Sequence, residues 1–248
     1  MSLRRRLTMS LACVVLCAVP AHAQSKEDGW QFQITPYLWG AGLDGDVKLG
    51  RLPAAGVEAS FSDVWDHLHF AAMAAFEGRK GRWGFVTDAF YVDLTDTVPA
   101  PVPAFGEVKV SITQEIYTGL ALYRAVDGAV TVDILAGPRY TTIDNELSLI
   151  GGVADGRSRS ATLSWWDLLA GARVRWQSES GWFVNGYADV GGSDTDFTWE
   201  VLAGGGYRFK KLCTLSAGYR YLSEDYDEDG NIYDMVLAGP IVGVGFRF

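Results

Sequence analysis

Between Glu107 and Tyr123 the sequence EVKVSITQEIYTGLALY alternates without a break. Val108, Val110, Ile112, Gln114, Ile116, Thr118, Leu120 and Leu122 share one face. Glu107, Lys109, Ser111, Thr113, Glu115, Tyr117, Gly119, Ala121 and Tyr123 share the other. Successive side chains of a strand point to opposite faces, so this is a strand with one apolar and one polar side. A soluble sandwich with one wet face would show the same alternation. Its length argues otherwise, since globular strands average about 5–6 residues. WDLLAGARVRW adds a second sign: Trp166 and Trp176 share a face with Leu168, Ala170, Ala172 and Val174, while Asp167, Gly171, Arg173 and Arg175 face away. Ten residues at ~3.3 Å each, tilted by about 40°, rise roughly 25 Å, the height of the apolar band on a membrane barrel. Aromatic rings at both ends of that span suit its two interfaces.

The pattern repeats in ten segments, near 30–41, 68–78, 82–94, 107–125, 129–143, 161–177, 182–191, 197–209, 212–223 and 232–248. Phe70/Ala72/Ala74/Phe76, Val130/Val132/Ile134/Ala136, Trp182/Val184/Ala188/Val190 and Trp199/Val201/Ala203/Tyr207 are expected to face outward. Charges keep the opposite parity, as a lumen requires, because a one-residue slip would turn them all into lipid. The expected lumen-lining set is Glu77, Arg79, Asp88, Glu115, Asp133, Arg139, Asp167, Arg173, Arg175, Asp189, Glu200, Arg208 and Arg220, with Tyr37, Trp39, Tyr117, Tyr123 and Tyr187 filling space among them. Trp166, Trp176, Trp182, Trp199 and Tyr207 are the expected interface aromatics. GRKGR (78–82), VDGA (126–129), SESG (178–181) and FKKL (209–212) read as tight turns. Longer connections, 42–67, 95–106, 144–160, 192–196 and 224–231, alternate with them, as in outer-membrane barrels whose short turns face the periplasm. Hydrocarbon offers no hydrogen bonds, so the sheet must close. The expectation is all-β: a closed antiparallel up-and-down transmembrane β-barrel of ten strands. DGDVKLG and VEASF within 42–67 look like two further short strands followed by a helical turn. They make the count twelve if they enter the wall, extend the first hairpin above the membrane, or fold inward as a plug.

Export is written at the start. MSLRRRLTMSLACVVLCAVPAHAQ has a basic head, an apolar run too short to anchor, and an Ala-His-Ala exit, so residues 1–23 read as a signal peptide. Residues 24–29 form a short periplasmic tail and 30–248 the barrel. With the leader go Cys13 and Cys17, leaving Cys213 alone. Its three arginines also go, so 18 basic residues face 30 acidic ones, a net −12. That balance argues against nucleic acid as a partner.

The chain ends GPIVGVGFRF, with Val242, Val244, Phe246 and Phe248 on one face. This resembles the C-terminal signal by which the barrel-assembly machinery recognises bacterial outer-membrane β-barrels. Together with ITPYLWGAGLDGDV, FSDVWDHL and GYRYLSEDYDEDG, it makes the mature chain similar to a family of proteobacterial porin-like barrels of generally unassigned function. The resemblance implies an outer-membrane location, with lipid and lipopolysaccharide as surroundings. It brings no catalytic residues.

Two clusters invite chemistry. SEDYDEDGNIYD places Asp225, Asp227 and Asp229 like the first ligands of a calcium loop, with Asp234 in reach. The closing acid of that loop, at position 12, would be Val236, and no helix flanks it. An acidic hairpin loop is the plainer reading, with weak divalent-cation binding the sharper one. His67 and His69 lie near Asp63 and Asp66 and could ligate a metal or serve catalysis. The plainer reading makes Asp63 the cap of one helical turn, Asp66 a first-turn acid, and His69 the start of the next strand. No nucleophile motif accompanies them, so a barrel enzyme acting on lipid or peptide ranks third. The first expectation is a monomeric, cofactor-free barrel with a structural or surface-interaction role, loops 144–160 and 224–231 being its contact surface. The second is a narrow or gated channel for ions or very small solutes. Ten strands lie near the filled end of barrel sizes, and inward acids at least match inward arginines, which favours a paired network over an anion pore.

Overall fold

A computed structural model describes residues 29–48, 53–99, 106–152, 155–209, 212–228 and 230–248. The expected signal peptide therefore lies outside the described residues. Among these residues twelve strands form: β1 Gln31–Trp39, β2 Gly42–Lys48, β3 Ala55–Ala59, β4 Leu68–Lys80, β5 Trp83–Pro99, β6 Glu107–Val126, β7 Val130–Ile150, β8 Ser158–Gln177, β9 Trp182–Ser193, β10 Phe197–Phe209, β11 Cys213–Glu228 and β12 Asn231–Arg247, with one helix, α1 Phe61–Asp66. β1 and β4 to β12 pair with their neighbours in antiparallel sequence, and β1 pairs with β12 to close a ten-strand barrel. Phe32 and Phe248 exchange backbone hydrogen bonds of 3.0 Å at the closing seam.

β2 and β3 stand outside the ring. β1 pairs with β12 from Gln33↔Arg247 to Trp39↔Ile241, and β2 continues the same register from Gly42↔Ala238 to Lys48↔Ile232. The two are one line of chain interrupted at Gly40 and Ala41. Of the three sequence alternatives the hairpin takes the second: it leaves the ring at ten strands and extends β1 beyond it along β12. Gly45 makes the extension possible, because a Cβ there would collide with the Asp234 carbonyl. The helical turn forms where expected, with a different cap. Ser60 is the N-cap, Asp63 is its capping-box partner, and Asp66 ends the helix. Ser60 N–H and Oγ donate to Asp63 Oδ2 at 2.9 and 2.6 Å, holding that carboxyl below the usual carboxylate range.

Short turns join β4–β5, β6–β7, β8–β9 and β10–β11 at one end, where β1 begins and β12 ends. Gly81 takes φ +59 there, a left-handed conformation that glycine adopts without strain. At the other end the strands overrun the expected boundaries. Residues 144–150, 158–160 and 224–228, expected as loop, continue β7, β8 and β11. Tyr140 to Ile150 adds about 33 Å along the strand, so this wall rises well above the aromatic girdle.

The exterior carries two rings of aromatic pairs. Trp83–Tyr123 (4.9 Å), Trp182–Tyr207 (5.1 Å) and Phe32–Phe76 (5.7 Å) lie toward the short-turn end. Tyr140–Trp166 and Trp199–Tyr221, each 4.7 Å, and Phe70–Tyr91 (5.8 Å) lie toward the other. Trp176, Val242, Phe246 and Phe248 are exposed on the same outer surface, and Val244 is half-buried.

One strand is turned over relative to expectation. Ile116, Leu120 and Leu122 of β6 are buried in the lumen, whereas Tyr117 and Tyr123 are exposed. Glu115 stands outside with Tyr117, whose hydroxyl donates to it at 2.8 Å. The reason is that this lumen is filled partly with hydrocarbon. An apolar face therefore does not by itself mark the outside.

Candidate functional site: ionic layers in the lumen

Alternation aims every second residue of ten strands at one axis, and the stagger of the strands sorts those residues by height. β6 and β7 serve as a ruler. From the short-turn end their inward pairs run Arg124↔Asp133, Leu122↔Leu135, Thr118↔Arg139 and then Gln114↔Ile143, each flanking an unlike layer.

The first layer joins β4, β6, β7 and β8. Arg173 grips Glu77 with both nitrogens, Nη1–Oε2 2.8 Å and Nη2–Oε1 2.9 Å, and reaches Asp133 Oδ2 at 2.9 Å. Arg79 Nη2 meets the same Asp133 oxygen at 2.8 Å, and Arg124 Nε donates to Asp133 Oδ1 at 2.9 Å. Arg175, Arg208 and Arg247 lie on the same end. Arg175 stacks on Phe183 with its guanidinium carbon 3.8 Å from the ring centre, and Arg247 Nη2 reaches Gln33 Oε1 at 3.4 Å. Asp127, on the exposed turn, comes within 3.6 Å of Arg124.

Above it, Leu120, Leu122, Leu135 and Leu169 form a buried apolar layer with Val86 and Tyr187 packed on it. The second ionic layer follows. Arg139, 1 % exposed, donates from Nη2 to Glu200 Oε2 (2.7 Å) and Asp189 Oδ2 (3.1 Å). Arg220 Nη2 donates to the same Glu200 oxygen at 3.0 Å, and its Nε lies 2.8 Å from Glu200 Oε1. Arg220 Nη1 also meets Asp88 Oδ1 (3.4 Å) and Tyr37 Oη (3.2 Å), while the Tyr37 hydroxyl donates to Asp88 at 3.0 Å. Tyr187 donates its hydroxyl to Asp189. Asp167 and Glu224, both fully buried, accept from Thr195 (2.7 Å) and Thr141 (2.8 Å).

An apolar cluster caps this layer. Trp165, 1 % exposed, lies 4.8 Å from the Tyr226 ring and 5.2 Å from Tyr233, among Trp39, Phe90, Ile116, Ile143 and Leu237. Leu43, Val47 and Val57 of the β2–β3 hairpin pack against it from above. Space remains on one side between the ionic layers. A cavity of about 250 Å³ is walled by Gly204, Ser216, Gly218 and Gly243 across from Leu120 and Leu135, and touches Arg173, Asp88 and Arg220.

The structure thus places every expected charged lumen residue inside except Glu115, which goes to the outer surface with Tyr117 and Tyr123. It adds Arg124, Arg247 and Glu224. Arg124 follows Leu122 on the face of β6 taken for the exterior, Arg247 hides between two outward phenylalanines, and Glu224 fell in a presumed loop. Parity alone would have found the last two.

The acidic run is arranged differently from a calcium loop. Asp225 stands opposite Asp234 in register, and Asp234 opposite Asp46 of β2, so three acids form a row across adjacent strands. Asp227 is exposed beyond them, and Asp229 lies outside the described residues. Among the described residues no group of His, Cys, Asp or Glu is disposed to hold a metal ion. His67 Nδ1 lies 2.7 Å from the Asp63 carbonyl, and His69 Nδ1 lies 2.9 Å from Asp93.

No family model matches this sequence, and no curated protein does. Solved structures are similar in fold. The outer membrane protease OmpT from Escherichia coli superposes with a TM-score of 0.54 at 10 % identity, covering 91 % of this chain and 99 % of that one. The translocator domain of the autotransporter NalP from Neisseria meningitidis gives 0.41 at 15 %, covering 90 % of each. Ail, the attachment invasion locus protein of Yersinia pestis, gives 0.37 at 12 %, covering 89 % of this chain and 99 % of that one. At such identities the likeness is one of fold, that of outer-membrane β-barrels.

Proposed function

We propose that this chain is an integral outer-membrane β-barrel, its short turns in the periplasm, that acts through its cell-surface wall rather than as an open pore or an enzyme. The observation that carries this reading is the filled lumen: two ionic layers, leucines between them and an apolar cap bury Arg139, Leu135 and Trp165 to 2 % exposure or less. Side chains so packed fill much of the cross-section that wide barrels leave to water, and the cavity of about 250 Å³ lies between the layers. The two aromatic rings and the apolar belt between them fit a single bilayer thickness. Lipid and lipopolysaccharide would contact that belt, and the C-terminal phenylalanine stretch would engage the assembly machinery. Strands β5 to β8, β11 and β12 supply the wall above the belt, and its acidic row Asp46–Asp234–Asp225 makes that surface anionic. A monomer suffices, since closure satisfies every wall strand.

A non-catalytic role is supported by how the polar groups near His67 are spent. Ser60 Oγ donates to the Asp63 carboxylate as part of a helix cap, whereas His67 Nδ1 faces the Asp63 backbone carbonyl, so Ser60 and His67 are engaged apart from each other. A nucleophile needs its hydroxyl on the base.

Planar-bilayer recording of the purified mature barrel decides between this reading and the channel. Electrical silence in potassium chloride is expected. Discrete conductance steps that vanish when Ala75, on the cavity wall, is enlarged to Leu would replace it with the channel reading.

A further inference from the structure

Acids and arginines are balanced over the whole lumen, and the structure separates them by height. At the short-turn mouth six guanidiniums, those of Arg79, Arg124, Arg173, Arg175, Arg208 and Arg247, face two lumenal carboxylates, Glu77 and Asp133. In the upper layer two guanidiniums face Asp88, Asp189 and Glu200, with Asp167 and Glu224 beside them. Glu77 and Asp133 are already spent on Arg79, Arg124 and Arg173. That leaves Arg175 and Arg208 without a side-chain hydrogen bond or ion pair among the described residues, though Arg175 rests on Phe183. Arg175 lies in the field of Arg173, Arg208 and Arg247, with Glu77 the acid opposing them. Arg175, Arg208 and Arg247 are each half-buried, and Arg247 has only the Gln33 amide oxygen as a side-chain partner among the described residues. Gathering like charges out of water is costly unless something of opposite sign joins them.

Buried atoms lacking partners add a second observation at the mouth. At this mouth they are donors, Arg79 Nη1 and Gln177 Nε2. In the upper half they are of both kinds, the acceptors Asp167 Oδ2, Asp189 Oδ1 and Glu224 Oε2 and the donors Arg220 Nε, Trp39 Nε1 and Trp165 Nε1, so a surplus of donors alone is confined to the mouth. A mouth with surplus cations and unfilled donors is chemically complementary to an oxyanion, whose oxygens accept several N–H bonds and match the guanidinium fork.

We infer that the short-turn mouth of the lumen, centred on Arg175, Arg208 and Arg247 with Arg173 at its inner edge, is a binding site for a carboxylate or phosphate group. The inference does not rest on the surface role proposed above, since a silent barrel and a conducting one would both hold the anion. The group either belongs to a free small anion or heads a lipid. The cavity begins at Arg173, so a small apolar portion attached to the group has room beyond it.

Calorimetric titration of the full mature barrel in detergent, with inorganic phosphate in one arm and dihexanoyl phosphatidic acid in the other, tests the site. Saturable binding is expected, weakened at least ~10-fold for each guanidinium removed in Arg175→Gln and Arg208→Gln and unchanged in Arg159→Gln on the opposite end. Tighter binding of the phosphatidic acid identifies a lipid source, and parity identifies a free anion. Arg247 is left intact because it sits within the assembly signal. Should either variant fail to fold, phenylglyoxal modification of the wild type decides: phosphate must protect Arg175 and Arg208 and spare no other lumenal or surface arginine equally. No heat in either arm, binding unchanged in both variants, or uniform modification would overturn the site.

Discussion

The two ionic layers are built from the same side chains and differ in closure. In the upper layer each guanidinium meets two carboxylates, burial is nearly complete, and leucines below and an apolar cluster above exclude water. In the layer near the short turns, arginines outnumber acids, and Arg173 and Glu77 keep about a quarter of their side-chain surface exposed. A paired charge sealed from water is expensive to assemble and more expensive to break, because the surviving partner is left buried. A charge at a mouth can borrow counterions. The upper layer therefore behaves as a structural lock, and the lower one keeps capacity for something that arrives from outside.

The largest effect expected from this contrast is at Glu200. Glu200→Gln removes the carboxylate shared by Arg139 and Arg220, and should lower unfolding free energy by about 3–5 kcal/mol, the usual cost of orphaning a buried charge. Urea unfolding of the barrel in micelles, followed by tryptophan fluorescence, measures it. A loss below about 1 kcal/mol would mean that water already reaches the layer.

Leu135 tests the insulation between the layers. Leu135→Ala should cost about 2–5 kcal/mol by transfer and cavity terms. Because the enlarged void admits water toward Arg139 and Glu200, the double variant with Glu200→Gln should lose less than the two single losses together. Strict additivity would show that the leucines only fill space.

Arg173→Gln, in the open layer, should cost less, about 1–3 kcal/mol, since the remaining arginines still neutralise Glu77 and Asp133. Its cost should also shrink between low salt and about 0.5 M, while the cost of Glu200→Gln stays level. Equal salt responses at both sites would erase the distinction between them.

Much of this architecture was legible. Strand number, tight turns and the parity of Glu77, Asp133, Arg139, Asp189, Glu200 and Arg220 follow from period-two patterning, because a lumenal charge cannot be slipped onto an apolar exterior. Three things escaped for one underlying reason, that sequence gives parity without environment. β6 was turned over because Ile116, Leu120 and Leu122 fill a lumen with the same residues that coat an exterior. Tyr117 and Tyr123, with Gly119 and Ala121 between, were the available clue, being placed at the two aromatic rings. Asn145, Glu146 and Ser148 looked like loop because a strand wetted on both faces loses its alternation. The division of arginines from acids was hidden because height in the lumen depends on stagger between strands, which register alone reveals.

Glu115 gives the smallest effect and the cleanest control on that reversal. As a lumenal acid it would belong with Glu200, and its neutralisation would strand an arginine at a cost of several kcal/mol. As observed, it stands on the outer surface one pair beyond Tyr117 and accepts that hydroxyl, its one side-chain hydrogen bond among the described residues. Glu115→Gln keeps the hydrogen bond and removes a charge already in a polar setting, so unfolding free energy should change by no more than about 0.5 kcal/mol. Tyr117→Phe should be similarly mild, because the freed carboxylate can turn to water. A spin label at position 115 extends the same test: a polar reagent in bulk solvent should reach it readily in the folded barrel, which burial beside Arg139 would forbid.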